Sequence, residues 1–358
     1  MRKKSTRDLE LCWQSSVDEL APKDGETHRA PVRCVALGGR DGKDFVVSGS
    51  DDRTLRLWDA ATGEPLIERR ISGRRAFVWV ETFHMDGKPY VIAGHLYGNE
   101  VWYGPGRGRL RIWDAMSGRP LSGLFGDTDG SCENLSLGRF QGKPVVIAKR
   151  DNSESSMYDM PQSIRIYDLQ EALTNANCQC AGHSRYTTPR VSAIACGSVE
   201  DAEILAYGDN DGTVTLHDLE SDQRAKVLAK KGAAAVAMYL RWATVRGEPV
   251  LSVGYDDGKV QLWRLRSGRR WGKPVRAASG DDWITAASCG EIGDVPVIVT
   301  GNSAGQVIVW DVPGNTPLAS RRMGGKINQI SEIRDRRVAI AHAGGVGVLD
   351  LERKKLAK

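Results

Sequence analysis

The residue types of a nucleophilic triad occur near the start of the chain, as His28, Ser48 and the pair Asp51 and Asp52. A serine that attacks a carbonyl carbon needs an oriented base to take its proton and donors that hold the oxyanion. The sequence around these residues signals neither of the two. We therefore interpret the group as structural rather than catalytic.

Two other groups of residues have side chains that could do chemistry. Cys178, Cys180 and His183 lie close together, but a structural zinc site needs four ligands, so we interpret this segment as a loop. Glu81 and Glu133 could act as an acid and a base, but nothing in the sequence places them a few ångströms apart. Because no glycine-rich phosphate loop opens a helix either, we expect no cofactor and no resident metal.

One pattern recurs along the chain. Between Phe45 and Leu66, a β-branched run is followed by a polar turn, an alternating segment that ends at Trp58, and a second turn at Gly63. This order predicts a β-hairpin followed by a further strand. With the copies that begin at Val91, Val145, Glu203, Pro249, Val295 and Arg336, the chain contains seven such units.

Each copy has an anchor residue near the end of its alternating strand. The anchors are Trp58, Trp113, Tyr167, His217, Trp263, Trp310 and Leu349. They are spaced roughly 40 to 55 residues apart, as in four-stranded propeller blades. Asp follows five of the first six. In these features, and in the copies LRLWDAATG, LRIWDAMSG and VIVWDVPG, residues 27–356 resemble the WD-repeat family.

The resemblance implies an all-β fold, a seven-bladed β-propeller of four-stranded antiparallel blades. Residues 1–26 would form an N-terminal tail, and residues 27–356 the propeller. Blade seven lacks an outer strand, and propellers avoid open edges by closing on themselves. We expect a strand near residues 9–15 to close the ring. The alternative is that LERKKLAK at the C-terminus supplies that strand.

The same resemblance assigns a structural hydrogen-bond network to His28, Ser48, Trp58 and one of Asp51 or Asp52, with Asp52 taken as the member. Trp113, Trp263 and Trp310 would anchor their own blades in the same way. Gly182 and His183 match the Gly-His pair of the family and would open blade four.

Composition and charge restrict the class of protein. Seven cysteines without an export signal predict reduced thiols, and no apolar run is long enough to span a membrane. We expect a soluble, cytoplasmic protein. The net charge of +5 includes short basic runs at both ends, which we interpret as solvated tails, so nucleic-acid binding is not favoured.

The residue after the first position of each inner strand should lie at the upper mouth of the channel. Alignment on Val32 gives the ring Arg33, Trp79, Glu133, Ser192, Met238, Thr285 and Asn328. Arg74 and Arg75 flank Trp79, and we place Trp283 beside the ring. An insertion carries Tyr97, Trp102 and Tyr103. From these sets we predict partner contacts at Arg33, Arg74, Arg75, Trp79, Tyr97, Trp102, Tyr103, Glu133, Met238 and Trp283.

Alternatives stay open for these predictions. Trp79 or Trp283 could be wedged between blades, and the insertion could fold back over the rim. For the whole chain, the resemblance implies a non-catalytic scaffold that binds a protein or peptide on the upper face, as a subunit of a larger complex. The alternatives are a hydrolase-type enzyme with a site in the channel, and a binder of nucleic acid or anionic surfaces through Arg74, Arg75 and the tails.

Overall fold

Twenty-eight β-strands and one short α-helix make up the part of the chain that this computed structural model describes. It describes residues 7–18, 27–40, 42–67, 71–72, 76–95, 109–126, 131–151, 164–175, 182–183, 191–221, 223–229, 235–277 and 282–351. No helix in these residues is long and apolar enough to cross a membrane.

The strands follow one another in seven groups. Before the first group come β1 (Arg7–Asp8) and β2 (Glu10–Ser16). Blade one holds β3 (Val32–Arg40), β4 (Lys43–Ser50), β5 (Thr54–Asp59) and β6 (Ile71–Ser72). Blade two holds β7 (Phe77–Met85), β8 (Lys88–His95) and β9 (Arg109–Asp114). Blade three holds β10 (Ser131–Phe140), β11 (Lys143–Asp151), β12 (Ile164–Asp168), α1 (Leu169–Thr174) and β13 (Gly182–His183).

The remaining groups repeat this plan. Blade four holds β14 (Val191–Val199), β15 (Ala202–Asp209), β16 (Val214–Asp218) and β17 (Gln223–Ala229). Blade five holds β18 (Ala237–Val245), β19 (Glu248–Tyr255), β20 (Lys259–Arg264) and β21 (Arg269–Arg276). Blade six holds β22 (Ile284–Ile292), β23 (Val295–Asn302), β24 (Gln306–Asp311) and β25 (Thr316–Arg322). Blade seven holds β26 (Ile327–Ile330), β27 (Arg337–His342) and β28 (Gly345–Asp350).

These sheets form a ring of seven antiparallel blades, so the predicted seven-bladed β-propeller is confirmed. In blade two, the residues after β9 contribute isolated bridges from Pro120 to Trp113 and from Phe125 to Leu110 instead of a named outer strand. The prediction for Gly182 and His183 was wrong. They pair with Ile166 and Arg165 as the outer strand of blade three and do not open blade four. We call the end of the ring where the inner strands begin the upper face.

The apolar core of the described residues is divided among seven clusters, each between two neighbouring blades. Every middle strand is covered on both faces, which explains continuous buried runs such as those of β4 and β8. A strand buried on both sides shows continuous rather than alternating hydrophobicity. The repeat therefore buries its apolar residues only when neighbouring copies stack.

The N-terminal segment closes the ring by bridging two blades. Strand β1 pairs in parallel with β25 of blade six, and β2 pairs antiparallel with β28 as the outer strand of blade seven. Between them Leu9 is 1% exposed and packs into the cluster between blades six and seven. The expected closing strand near residues 9–15 is thus found at Glu10–Ser16.

Two further contacts of this segment hold it in register. The indole nitrogen Nε1 of Trp13 donates to the carbonyl oxygen of Ala60 at 3.0 Å, which links the last blade to the first. Gly345 has φ 147°, and a Cβ there would collide with the carbonyl oxygen of Ser15. A side chain at position 345 would therefore push the closing strand away from its partner.

His342 gives the fold a predictable dependence on pH. Its side chain has no solvent exposure, and burial lowers its pKa from 6.5 to about 4. The native state thus binds fewer protons than the unfolded state between these values, and stability should fall as the pH drops below 6.5. For this group we expect a loss of about 2 kcal/mol between pH 7.5 and pH 5.

Urea denaturation of the wild type and of His342→Gln at both pH values measures this contribution. The variant cannot titrate at position 342, so its stability should fall by about 2 kcal/mol less over the same interval. His28 is unchanged in both proteins and cancels in the comparison. An equal loss in both proteins would contradict the assignment.

Candidate functional site

The triad-like residues of blade one form a closed hydrogen-bond chain. His28 Nδ1 lies 3.2 Å from Asp52 Oδ2, and its Nε2 lies 2.7 Å from Ser48 Oγ. Trp58 Nε1 donates to Ser48 Oγ at 2.8 Å. These distances fit a neutral imidazole that donates from Nδ1 and accepts the Ser48 hydroxyl proton at Nε2. The chain joins the segment before the inner strand to β4 and β5.

Electrostatics agree with this arrangement. Burial lowers the pKa of His28, against the opposing effect of Asp52, so the imidazole is neutral. Burial alone would raise the pKa of Asp52, but hydrogen bonds from His28, Thr54 and the Arg29 backbone outweigh it and lower that pKa. The carboxylate accepts the Arg29 N–H at 2.8 Å and the Thr54 N–H at 2.9 Å. Asp52 is thus the aspartate in contact with His28.

The same network is closed to substrates. Ser48 is 0% exposed and His28 is 2% exposed. The Ser48 oxygen already accepts the indole proton of Trp58, so this hydroxyl is engaged inside the blade. A nucleophile must reach the carbon that it attacks, and this serine is enclosed by the blade that it stabilises.

The other tryptophan anchors differ in what faces their indole nitrogen. Strand pairing places Thr300 at the Ser48 position of blade six, and its Oγ1 accepts from Trp310 Nε1 at 2.9 Å. Blade five has Val253 at that position, and Trp263 Nε1 is buried without a described partner. Blade two has Ala93 there, and Trp113 packs against Phe77. Within the described residues, the four-residue network is present only in blade one.

A β-bulge occurs at the same place in every inner strand. The residue that it leaves without a cross-strand partner is Arg33, Val78, Glu133, Ser192, Met238, Thr285 or Asn328. The alignment from sequence is therefore correct in six blades and wrong by one residue in blade two. Blade two differs because β7 begins with the continuous apolar run FVWV, which gives the alignment no contrast between Val78 and Trp79.

Trp79 has a cross-strand partner, Gly94, and is therefore not the bulge residue of blade two. It is half-buried and packs against the cluster between blades two and three. Its Nε1 donates to Glu81 Oε1 at 3.0 Å, and the Arg241 guanidinium lies over its ring at 5.1 Å. Trp79 therefore fits the alternative position, wedged between two blades, better than the predicted position in the ring at the upper mouth.

A salt bridge crosses the channel between blades two and five. Arg241 Nη1 lies 3.2 Å from Glu81 Oε1, the same oxygen that accepts from Trp79. A cavity of about 170 Å³ beside this pair is lined by Glu81, Arg241 and Glu332. Burial, and repulsion from Glu81, raise the pKa of Glu332. Sequence reasoning did not single out Arg241, although its charge within the otherwise neutral strand AMYLRWATV was the available signal.

Three predicted contact residues are exposed at the upper mouth. Trp283 is 53% exposed and Met238 is 42% exposed, and they lie at the starts of neighbouring inner strands in blades six and five. Lys326 Nζ lies 6.0 Å from the centre of the Trp283 ring. Arg33 is also exposed, and its Nε donates to Asp51 Oδ2 at 2.8 Å. These residues form an arc over blades five, six, seven and one, which we call the mouth arc.

Several predicted residues lie outside the described part of the chain. These are Arg74, Arg75, Tyr97, Trp102, Tyr103, Cys178 and Cys180, and the side chains of Glu133 and His183. Their roles stay predictions. Where side chains are described, no group of three or more His, Cys, Asp or Glu could hold a metal ion. The described thiols are all free, and burial raises the pKa of Cys34, Cys196 and Cys289, as expected for small core residues.

Comparison with known proteins adds a family match and several relatives. Residues 23–59, which contain the complete network of blade one, match the family model described as WD domain, G-beta repeat. The chain is 28% identical over 334 residues to the small ribosomal subunit protein RACK1y of Oryza sativa subsp. japonica, covering 76% of this chain and 90% of the relative.

Two other relatives are longer proteins. Mitochondrial division protein 1 of Schizosaccharomyces pombe is 32% identical over 114 residues, which cover 28% of this chain and 16% of the relative. Autophagy-related protein 16 of Arabidopsis thaliana is 22% identical over 276 residues, which cover 74% of this chain and 46% of the relative. The chain thus spans less than half the length of either.

Proposed function

Because this chain belongs to the WD-repeat family, we propose that it is a non-catalytic interaction scaffold that binds a protein or peptide partner at the mouth arc. Relatives of this family typically act as scaffolds of that kind. The observation that carries the proposal is the exposure of Trp283 and Met238 on adjacent blades. Tryptophan, methionine and arginine are enriched at protein interfaces relative to the rest of the surface.

The surroundings of these two side chains support the same assignment. The backbone of Trp283 is held at both ends, since its N–H donates to Ser303 Oγ at 3.2 Å and its carbonyl accepts from Ser303 N at 3.0 Å. An exposed indole on a fixed backbone loses little conformational entropy on binding. Lys326 and Arg33 follow on blades seven and one, where they would form a polar rim on one side of the apolar contact.

The enzyme alternative has less support. Among the described residues, the group that most resembles a catalytic triad is the network of His28, Ser48 and Asp52, which is enclosed in blade one. The Glu81 carboxylate in the channel is engaged with Trp79 and Arg241. A function as one subunit of a larger complex is part of the proposal, as is the cytoplasmic location expected from the sequence. The side chains of the mouth arc would determine which partner binds.

An affinity capture with matched variants tests the proposal. The test variant carries Trp283→Ala with Met238→Ala. The control variant carries Met116→Ala with Leu121→Ala, which lie in blade two away from the upper face and are 36% and 39% exposed. Truncating interface anchors costs about 2 kcal/mol or more, so recovery of the partner should fall at least about tenfold for the test variant only.

Circular dichroism and thermal melting establish that both variants are folded, and mass spectrometry quantifies the captured proteins. Equal recovery with all three proteins, or an equal loss with both variants, would contradict binding at the mouth arc. The purified partner can then be titrated calorimetrically against the same variants.

A further inference from the structure

The outer hairpin of blade five concentrates positive charge. Seven of the eighteen residues from Lys259 to Arg276 are Lys or Arg, and none is Asp or Glu. This segment is β20, β21 and the turn between them. The exposed members are Arg266, Arg269, Arg270, Lys273 and Arg276. We call this hairpin the basic hairpin.

The pairing of the two strands sets like charges against each other. Lys259 is directly opposite Arg276, and Arg264 is directly opposite Arg269. Like charges at directly opposed positions destabilise a sheet. Asp257 and Glu248 each pair with one of these residues, namely Lys259 and Arg264. Among the described residues, the five exposed cations have no carboxylate partner.

The other cation of each opposed pair, Arg276 or Arg269, is left without a described carboxylate partner, which departs from the favourable pairing of opposite charges across a sheet. Such places are expected at functional sites, where a ligand supplies what the free protein lacks. The missing component here is negative charge on the outside of blade five. The neighbouring outer strand extends the positive surface, because Arg224 and Lys226 are exposed and Lys226 Nζ donates to the Ser267 carbonyl at 2.8 Å.

Two of the guanidinium groups are held in place by indole rings. The Arg264 guanidinium lies 4.2 Å from the centre of the Trp271 ring, and that of Arg270 lies 5.3 Å from the Trp263 ring. Stacking of this kind is attractive and reduces the freedom of a long side chain. A cation that is already oriented loses less entropy when it binds an anion. Because Arg264 is also paired with Glu248, Arg270 is the preorganised donor that has no described carboxylate partner.

The apolar side chains of the basic hairpin are turned inward. Trp263 and Trp271 are buried beneath the arginines, and Val260, Leu262, Leu265 and Val275 are buried as well. A protein interface needs an apolar anchor at its centre and is depleted of charge there. A single-stranded nucleic acid binds through exposed aromatic rings on which its bases stack. The hairpin offers neither of these features.

A membrane surface fits less well than a linear polyanion. The hairpin lies on the outer wall of a ring, which is convex, and so meets a flat bilayer along a line. It also has no exposed apolar side chain to insert, and insertion supplies part of the affinity of interfacial segments. Strand β21 spans eight residues, or roughly 25 Å at about 3.3 Å per residue, a length that accommodates several successive phosphates.

We propose that the basic hairpin binds the phosphate backbone of a double-stranded nucleic acid, independently of base sequence. Arginine predominates in the hairpin, and its planar fork matches phosphate oxygens in pairs. The surface is separate from the mouth arc, so a protein partner and a duplex could be held at the same time. Neither the terminal runs nor Arg74 and Arg75 are needed for this binding.

Fluorescence anisotropy with the full chain tests the proposal. The probes are a labelled RNA duplex and a DNA duplex of the same sequence, titrated at three KCl concentrations. The test variant carries Arg266→Gln, Arg269→Gln, Arg270→Gln and Lys273→Gln. The control variant removes the same charge from other exposed positions, as Lys43→Gln, Lys88→Gln, Arg119→Gln and Arg322→Gln.

The wild type should bind duplex with an affinity that falls steeply as salt rises, because each phosphate contact releases counterions. In the test variant the slope of log affinity against log salt should shrink by about three to four, and affinity near 100 mM salt should fall at least about tenfold. The control variant should keep both slope and affinity near the wild-type values. Binding of RNA over DNA would indicate recognition of the A-form helix.

Three outcomes would overturn the proposal. The first is no binding of either duplex by the wild type at 50 mM KCl, and the second is an equal loss in both variants. The third is tighter binding of poly-glutamate, or of vesicles of phosphatidylserine and phosphatidylcholine, than of duplex. Thermal melting shows whether the test variant is folded; its midpoint should stay near the wild-type value, because loss of the contact between Arg270 and Trp263 is offset by removal of the like-charge pair of Arg264 and Arg269. The Trp283 and Met238 variant should bind duplex normally, which separates this test from that of the mouth arc.

Discussion

Replacing Leu9 by alanine should lower the free energy of unfolding by about 2–5 kcal/mol. Leu9 is 1% exposed and packs between blades six and seven, in the cluster that also contains Val309 and Leu349. The substitution leaves a cavity where the N-terminal segment crosses from one blade to the next. It also weakens the strand that covers the edge of β28, so the ring should open at this point first.

Urea denaturation followed by tryptophan fluorescence measures the loss. Gln14→Ala is a matched control, because Gln14 is exposed on the same closing strand and its truncation should change stability by no more than about 0.5 kcal/mol. Hydrogen exchange should show faster exchange at β28 in Leu9→Ala than in the control. If Leu9→Ala is as stable as the wild type, the N-terminal segment does not hold the ring closed.

Ser48→Ala should cost about 2–4 kcal/mol of stability. The hydroxyl of Ser48 is the shared partner of Trp58 Nε1 and His28 Nε2, at 2.8 Å and 2.7 Å. Its removal leaves one buried donor and one buried acceptor unsatisfied, and each costs about 1–3 kcal/mol. The loss should exceed that of an ordinary serine truncation several-fold.

Two companion variants make this prediction specific. Ser48→Thr keeps the hydroxyl, as Thr300 does for Trp310, and should lose less stability than Ser48→Ala. Ser267→Ala removes an exposed hydroxyl and should change stability by no more than about 0.5 kcal/mol. Equal stability of Ser48→Ala and the wild type in chemical denaturation would show that the network contributes nothing net.

The difference between blades follows from this network. Blade one has all four members of the hydrogen-bond network and matches the family model, whereas Val253 and Ala93 replace the serine in blades five and two. Those blades rely on apolar packing, since an aliphatic residue at that position adds to the buried surface but offers no acceptor to the tryptophan. The repeat thus preserves its shape with different sources of stability from blade to blade.

The architecture followed from sequence because its signals are local and repeated. Seven copies of one hydrophobic pattern with turn residues at matching places predict seven blades whether or not each copy is complete. The sequence predicts the closing strand because blade seven has one strand too few and an open sheet edge is unfavourable. The members His28, Ser48, Asp52 and Trp58 were identified from the resemblance, and the structure brings them into contact.

The surfaces depended on tertiary structure for a physical reason. A bulge is a property of two paired strands, so the apolar run FVWV did not show by itself that Val78, and not Trp79, lacks a cross-strand partner. The pair of Glu81 and Arg241 joins residues 160 positions apart, which meet only because the ring closes. The opposition of Arg264 and Arg269 likewise exists only once β20 and β21 are in register. The sequence by itself determined the repeat, the ring and its closure, whereas strand register and contacts across the closed ring decided which side chains meet and which face outward.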